Sequence, residues 1–293
     1  MNNNSGKLKS VALMSLSSFL WGSSFAVTKG AAEALPTNLL VALRLFLGGF
    51  IVALVYWKRL KNVSRGLILC SLINGLFYCG GMVLQTLGVK YTSAGRSAFV
   101  TSAYCIISPV LEWIINKHKP KLNVWLAALV CLAGVGLIVL KGDFTVDSGD
   151  IYTLAGSMSF AMEIVLFGKF SKKQDDILLS SFQLMAAGIF AIILFAFTET
   201  LPTAVSTGTV LAVLYLAIAC SGFPMVFQGI AQRVLQPSVV SIILGFEAVF
   251  AAILSAMIYN ETFTGKCLIG CVLVFLSAFL ALLERKNPSE KTA

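Results

Sequence analysis

Long apolar runs alternate with short polar breaks along the whole chain. Ten runs are long enough to cross about 30 Å of hydrocarbon as helices. They cover roughly 9–29, 38–57, 66–88, 94–115, 122–140, 150–168, 178–197, 208–230, 237–259 and 266–284. The breaks carry turn residues and charge, as in "WKRLKNVSR" and "NKHKPK". The pattern predicts an all-α integral membrane protein with ten transmembrane helices and short loops. Lys7 and Lys9 before the first run imitate a secretory signal, but the run's length and the nine that follow it read as an uncleaved first span.

The pattern also repeats. Shifted by about 139 residues, "FLWGSSF" (19–25) falls on "MSFAMEI" (158–164), and Arg44 falls on Gln183. Shifted by about 143, "VLQTLGVKYTSAG" (83–95) falls on "VFQGIAQRVLQPS" (226–238), so Gln85 meets Gln228 and Tyr104 meets Glu247. The same shift carries "NVWLAALVCLAG" onto "KCLIGCVLVFLS". The four extra residues are expected within or beside the third and eighth spans. Two units follow, 1–145 and 146–293, each of five spans. Five is odd, so the second unit enters the membrane upside down. Inverted repeats of this kind occur in secondary transporters, with the substrate site near the midplane between them.

Composition agrees. The 293 residues are 58% hydrophobic and 12% charged, against about 25% charged in ordinary soluble domains. The net charge of +9 does not point to nucleic acid, because the basic residues sit in loops between apolar runs. With the N-terminus inside, sixteen of the 22 Lys and Arg fall in inner segments and four (Lys29, Lys90, Lys141 and Lys266) in outer loops. Arg44 and Arg96 lie within spans. That bias predicts both termini in the cytoplasm; a plasma (inner) membrane location is the companion expectation.

No enzymatic pattern is visible. His118 is the only histidine, and there is no phosphate-binding glycine loop or nucleophile elbow. The seven cysteines all fall in apolar runs and read as small hydrophobes. Cys267 and Cys271 have no further ligand beside them for a metal. No metal, cofactor or catalytic residue is expected.

The stretches "LWGSSFAVTK", "LVALRLFLGG" and "LQTLGVKYTSAGRSAFVTSAYCIISPV" resemble the first half of an EamA-type protein of the drug/metabolite transporter superfamily. "FQGIAQR" and "GFEAVFAAILSAMIYNETFTGKCLIG" resemble its second half. The resemblance covers nearly the whole chain. It implies a ten-helix, inverted-repeat carrier that moves small metabolites, commonly outward; relatives handle amino acids, sugars, drugs and related solutes. This chain departs from the pattern in three places. Ala248 follows Glu247 where the family often has Pro, which implies a less kinked ninth helix. Asn260 precedes Glu261 where Gly is common. Glu163 is an acid in the sixth span, where the family usually has none.

Charge inside the bilayer marks functional candidates, since each such group costs about 2.5 kcal/mol or more there. Glu247, deep in the ninth span, reads either as a proton- or ammonium-binding group or as a carboxyl tying two helices. Glu163 reads as a substrate or proton contact, or as a group snorkelling or pairing with lysine. Glu112 is expected to snorkel, with Pro109 kinking its helix. Arg44 reads either as a group for a substrate carboxylate or, the favoured reading, as a partner of Glu33 or a helix-end carbonyl, and Arg96 is expected to sit at the outer rim. Asn74, Tyr78 and Gln85 share a helix face, as do Trp21 and Ser24, and Gln228 and Gln232. The expected substrate-binding set is Trp21, Ser24, Tyr78, Gln85, Tyr104, Glu163, Gln228 and Glu247.

The reading is a secondary carrier, an exporter of amino acids or related amphipathic solutes, working by alternating access. Its partners are a small-molecule substrate and the lipid bilayer, with protons as a candidate coupling ion and a monomer or homodimer as its state. An uncoupled facilitative carrier and a non-transporting scaffold or sensor are the alternatives.

Overall fold

The computed structural model describes residues 3–117, 119–139, 147–259 and 264–283. Among them thirteen α-helices form and no strand: α1 (Asn3–Ala34), α2 (Thr37–Val55), α3 (Arg65–Tyr91), α4 (Ala94–Thr101), α5 (Tyr104–Asn116), α6 (Leu122–Val139), α7 (Ser148–Phe170), α8 (Asp176–Thr198), α9 (Thr207–Ala217), α10 (Phe223–Gln232), α11 (Pro237–Leu244), α12 (Phe246–Tyr259) and α13 (Gly265–Leu282). Three pairs run end to end as single spans: α4 with α5, α9 with α10 through the π-turn Ile218–Gly222, and α11 with α12. The result is nine helices of crossing length and a tenth, shorter apolar helix at Leu122–Ile138, among the described residues. Lys141, His118, Glu261, Arg285, Lys286 and Lys291, and the boundary at 145–146, lie outside the described residues.

Polar residues placed just before the apolar runs start the helices. Ser64, Ser93, Ser206 and Thr264 accept from the N–H groups of Leu67, Arg96, Thr209 and Cys267. Asp175 accepts from Ile177 and Leu178, and Asp147 with Asp150 forms a capping box on α7. Each cap closes backbone donors that the helix itself leaves open.

Helix pairing follows the inverted repeat. Each central pair joins one helix to its counterpart: α2 to α8, and α6 to α13. The other pairings come in related sets, α3 on α7 beside α9 and α10 on α1, and α4 and α5 on α7 beside α12 on α1. The α6–α13 crossing is close because Gly134 and Gly270 face each other. A Cβ on either would approach the other's carbonyl, at 2.8 Å from Gly134 and 2.5 Å from Gly270.

The four extra residues lengthen α8, which has 23 residues against 19 in α2. They lie beside the eighth span, at one end of the seventh. The ninth span is interrupted at Gly245, between α11 and α12, although it lacks proline there. The fourth span breaks at Ser102–Ala103 while the helix runs on through Pro109. Ser102 and Gly245 are 143 residues apart, so both breaks fall at one position of the repeat.

Candidate functional site

A small cavity lies where the two repeats meet. All eight side chains of the expected set line it, together with Arg44, Met82, Thr101, Phe160, Ile164 and Leu244. Five lining pairs are related by the repeat: Trp21 with Phe160, Ser24 with Glu163, Gln85 with Gln228, Thr101 with Leu244, and Tyr104 with Glu247. Phe160 and Leu244 were therefore findable as the repeat partners of Trp21 and Thr101. Ile164 and Met82 carry no such signal.

The two acids in the cavity are held differently. Glu163, 2% exposed, receives only amide donors: Gln183 Nε2 at 2.8 Å, Gln228 Nε2 at 3.2 Å to each oxygen, and Asn74 Nδ2 at 3.4 Å. Asn74 also donates to Gln183 Oε1, which ties α3, α7, α8 and α10 into one network. No lysine is among these partners, and burial excludes snorkelling, so both structural expectations for Glu163 are corrected. Four hydrogen bonds from three neutral amides can hold this carboxyl without a counter-charge.

Glu247, 7% exposed, receives one side-chain bond, from Tyr104 Oη to Oε2 at 3.2 Å. The bond crosses between the repeats, from α5 to α12. Its helix lies against α1, because a Cβ on Gly22 would meet the Glu247 carbonyl at 2.6 Å.

Arg44 is 2% exposed and does not pair with Glu33, which is solvent-facing. Its guanidinium donates to Ser221 Oγ at 3.3 Å, Thr28 Oγ1 at 3.2 Å and Cys220 O at 3.4 Å. Cys220 and Ser221 belong to the π-turn, and Trp21 Nε1 donates to the same Cys220 carbonyl at 2.9 Å. A regular helix would offer the Cys220 carbonyl the N–H of residue 224, but that residue is proline, so the carbonyl stays open to side chains. The expected pairing of Arg44 with Glu33 is corrected, whereas the other expectation, a helix-end carbonyl, is met by Cys220 O at the junction of α9 and α10. No carboxylate among the described residues is within ion-pair distance of Arg44. One buried cation and two buried acids thus share the cavity, each held by neutral dipoles.

The cavity's two ends are joined across the repeats. Toward the face that bears the start of α1, Ser17 donates to Pro224 O at 3.2 Å and Ser18 to Ile243 O at 3.2 Å. Glu112 is buried there rather than snorkelling, which corrects that expectation. It accepts from Ser238 N at 3.0 Å and from the Ser238 hydroxyl, and so caps α11. Toward the opposite face, Arg96 pairs with Asp150 at 2.6 Å and Asp147 at 3.4 Å, and Ser97 and Thr153 share a hydrogen bond of 3.1 Å. Gln232 leaves the cavity and donates to Ile164 O at 3.2 Å.

Comparison with known proteins adds the family. The model of the EamA-like transporter family matches twice, over residues 8–140 and 147–283. A protein of Archaeoglobus fulgidus described as an uncharacterized transporter is 27% identical over 274 residues, 92% of this chain and 85% of its own. The uncharacterized transporter YvbV of Bacillus subtilis is 23% identical, over 98% of this chain and 95% of its own. Protein PecM of Dickeya dadantii is 26% identical, over 87% and 86%. A solved crystal structure superposes with a TM-score of 0.74 over 96% of this chain and 97% of its own, at 18% identity, which shows the shared fold.

Proposed function

We propose that this chain, a multi-pass membrane protein that belongs to the EamA-like transporter family, is a secondary carrier exporting a small amphipathic metabolite, an amino acid or a close chemical relative. The observation that carries this reading is the cavity between the repeats, where Arg44 and Glu247 face a common space without pairing. A solute with one cationic and one anionic end would supply the counter-charge each of them lacks. Trp21, Tyr78, Tyr104 and Phe160 offer it apolar walls.

In this reading residues 1–145 and 146–293 are the two moving units, rocking about the cavity in alternating access. The charge bias of the loops supports an orientation with both termini in the cytoplasm and a place in the plasma membrane. Protons are the proposed coupling ion, with Glu247 as the titrating group, since its single hydrogen bond leaves it freer to change state than Glu163, which three amides hold. The protein works as a monomer or homodimer.

The test is a thermal-shift screen of purified protein against metabolites, since a ligand of the folded state alone raises apparent stability. A hit is then carried into proteoliposome counterflow, with and without a pH gradient. Counterflow of a zwitterionic solute, accelerated by the gradient, is the expected result. Binding without counterflow would sink the carrier reading in favour of a sensor. Counterflow indifferent to the gradient would leave an uncoupled carrier.

A further inference from the structure

The ninth span breaks two residues before Glu247. At the break, the Gly245 N–H donates to Ile242 O at 3.0 Å and not to Ser241 O, the partner it would have in an unbroken helix. The Ser241 carbonyl is thereby released inside the membrane region, where an unsatisfied backbone group is costly. The Cys105 thiol fills the gap, lying 3.1 Å from Ser241 O. A second thiol, Cys131, lies 3.7 Å from Ile242 O and 3.7 Å from Cys105 Sγ. Both cysteines are fully buried. There is no spare room: a Cβ added to Gly245 would collide with Cys131 Sγ.

The two thiols belong to the first repeat and the broken helix end to the second. Cys105 directly follows Tyr104, whose hydroxyl reaches Glu247. Two adjacent side chains, Tyr104 and Cys105, therefore grip the two sides of the break at once. We infer that Cys105 and Cys131 are positioning residues that hold the end of α11 and thereby aim Glu247 into the cavity. A thiol is a weak donor, and a weak bond suits a joint that must open: it closes the carbonyl while the break is held and gives it up at little cost. A serine hydroxyl keeps the bond in a stronger form; alanine removes it.

The test reads hydrogen exchange of the full-length protein in lipid nanodiscs, followed by mass spectrometry on peptides spanning residues 241–250. For Cys105→Ala the amides at the break are expected to exchange about fivefold faster, the effect of one lost hydrogen bond on local opening. Cys105→Ser is expected to exchange no faster than the wild type. Peptides from α2 and α8 are expected to stay unchanged in both. Wild-type exchange in Cys105→Ala, failure of serine to rescue, or equal loosening of all spans would each overturn the inference.

A second pair guards against a variant that fails to fold. Cys131→Ala is expected to loosen the same peptide, and Gly245→Ala, whose added Cβ would displace Cys131 Sγ, to loosen it as well. Wild-type exchange in Cys131→Ala would remove Cys131 from the joint. The inference rests on the proposed carrier reading only for its bearing on transport. If no solute is transported but these exchange patterns hold, the carrier reading fails and the joint stands.

Discussion

The Tyr104 hydroxyl donates to the Glu247 carboxylate at 3.2 Å, and the two residues occupy the same position in their respective repeats. The bond therefore spans the axis that relates the two halves. Tyr104→Phe removes the donor and with it this tie between the repeats; Glu247→Gln keeps an acceptor for Tyr104 but removes the charge. Transport of the solute found by screening is expected to fall about tenfold or more in Glu247→Gln, the scale of a lost charge-assisted contact, with the protein still folded. Normal initial rates of counterflow in that variant would end the role assigned to the charge.

Glu163 depends on its amide donors. Gln183→Leu removes the shortest of them at 2.8 Å. It is expected to destabilise the protein by about 1–3 kcal/mol, the cost of leaving a buried group underserved. In the Glu163→Leu background the same change is expected to cost much less, because the demand for donors has gone. Chemical unfolding of the four proteins in a double-mutant cycle measures this, and strict additivity would contradict it.

Arg44 spreads its donors over Thr28, Ser221 and the Cys220 carbonyl. A lysine keeps the charge but not the planar fork that reaches three acceptors on two helices. Arg44→Lys is expected to raise the half-saturation concentration about tenfold while the folded fraction holds. Wild-type counterflow kinetics in that variant would show that charge alone suffices.

Gly134 and Gly270 allow α6 and α13 to touch. Gly270→Leu is expected to cost about 1–3 kcal/mol through overpacking. Gly30 has nothing within 4 Å of where its Cβ would stand, and Gly30→Ala is expected to change stability by less than about 0.5 kcal/mol. Thermal unfolding in detergent compares the two, and similar losses would refute the packing account.

The span pattern was legible because a bilayer demands continuous apolar length, and that leaves a mark in any sequence. The cavity lining was legible for a related reason: polar groups such as Glu163, Gln85 and Gln228 stand out against hydrocarbon, and the repeat pairs them. Partnerships were not legible. Glu112 looked like a snorkelling group because Lys117, Lys119 and Lys121 follow it closely in sequence, yet its carboxylate caps a helix that begins 125 residues later, at Pro237. Arg44's partners Thr28 and Ser221 are ordinary hydroxyls in apolar runs, and only the open carbonyl of Cys220 was marked, by Pro224 four residues on. The break at Gly245 was hidden because a small residue in an apolar run also suits ordinary close packing.

The four-residue excess of α8 over α2 bears on the energetics of a carrier cycle. Two identical inverted repeats could exchange conformations and produce the opposite-facing state at no net cost, since the molecule turned over would be its own image. Here the image is imperfect, in helix length and in the π-turn that interrupts only the second half's counterpart of α3. In the proposed alternating-access cycle the two facing states are then not images of each other, and a preferred resting orientation would come from the differences between the halves rather than from what they share.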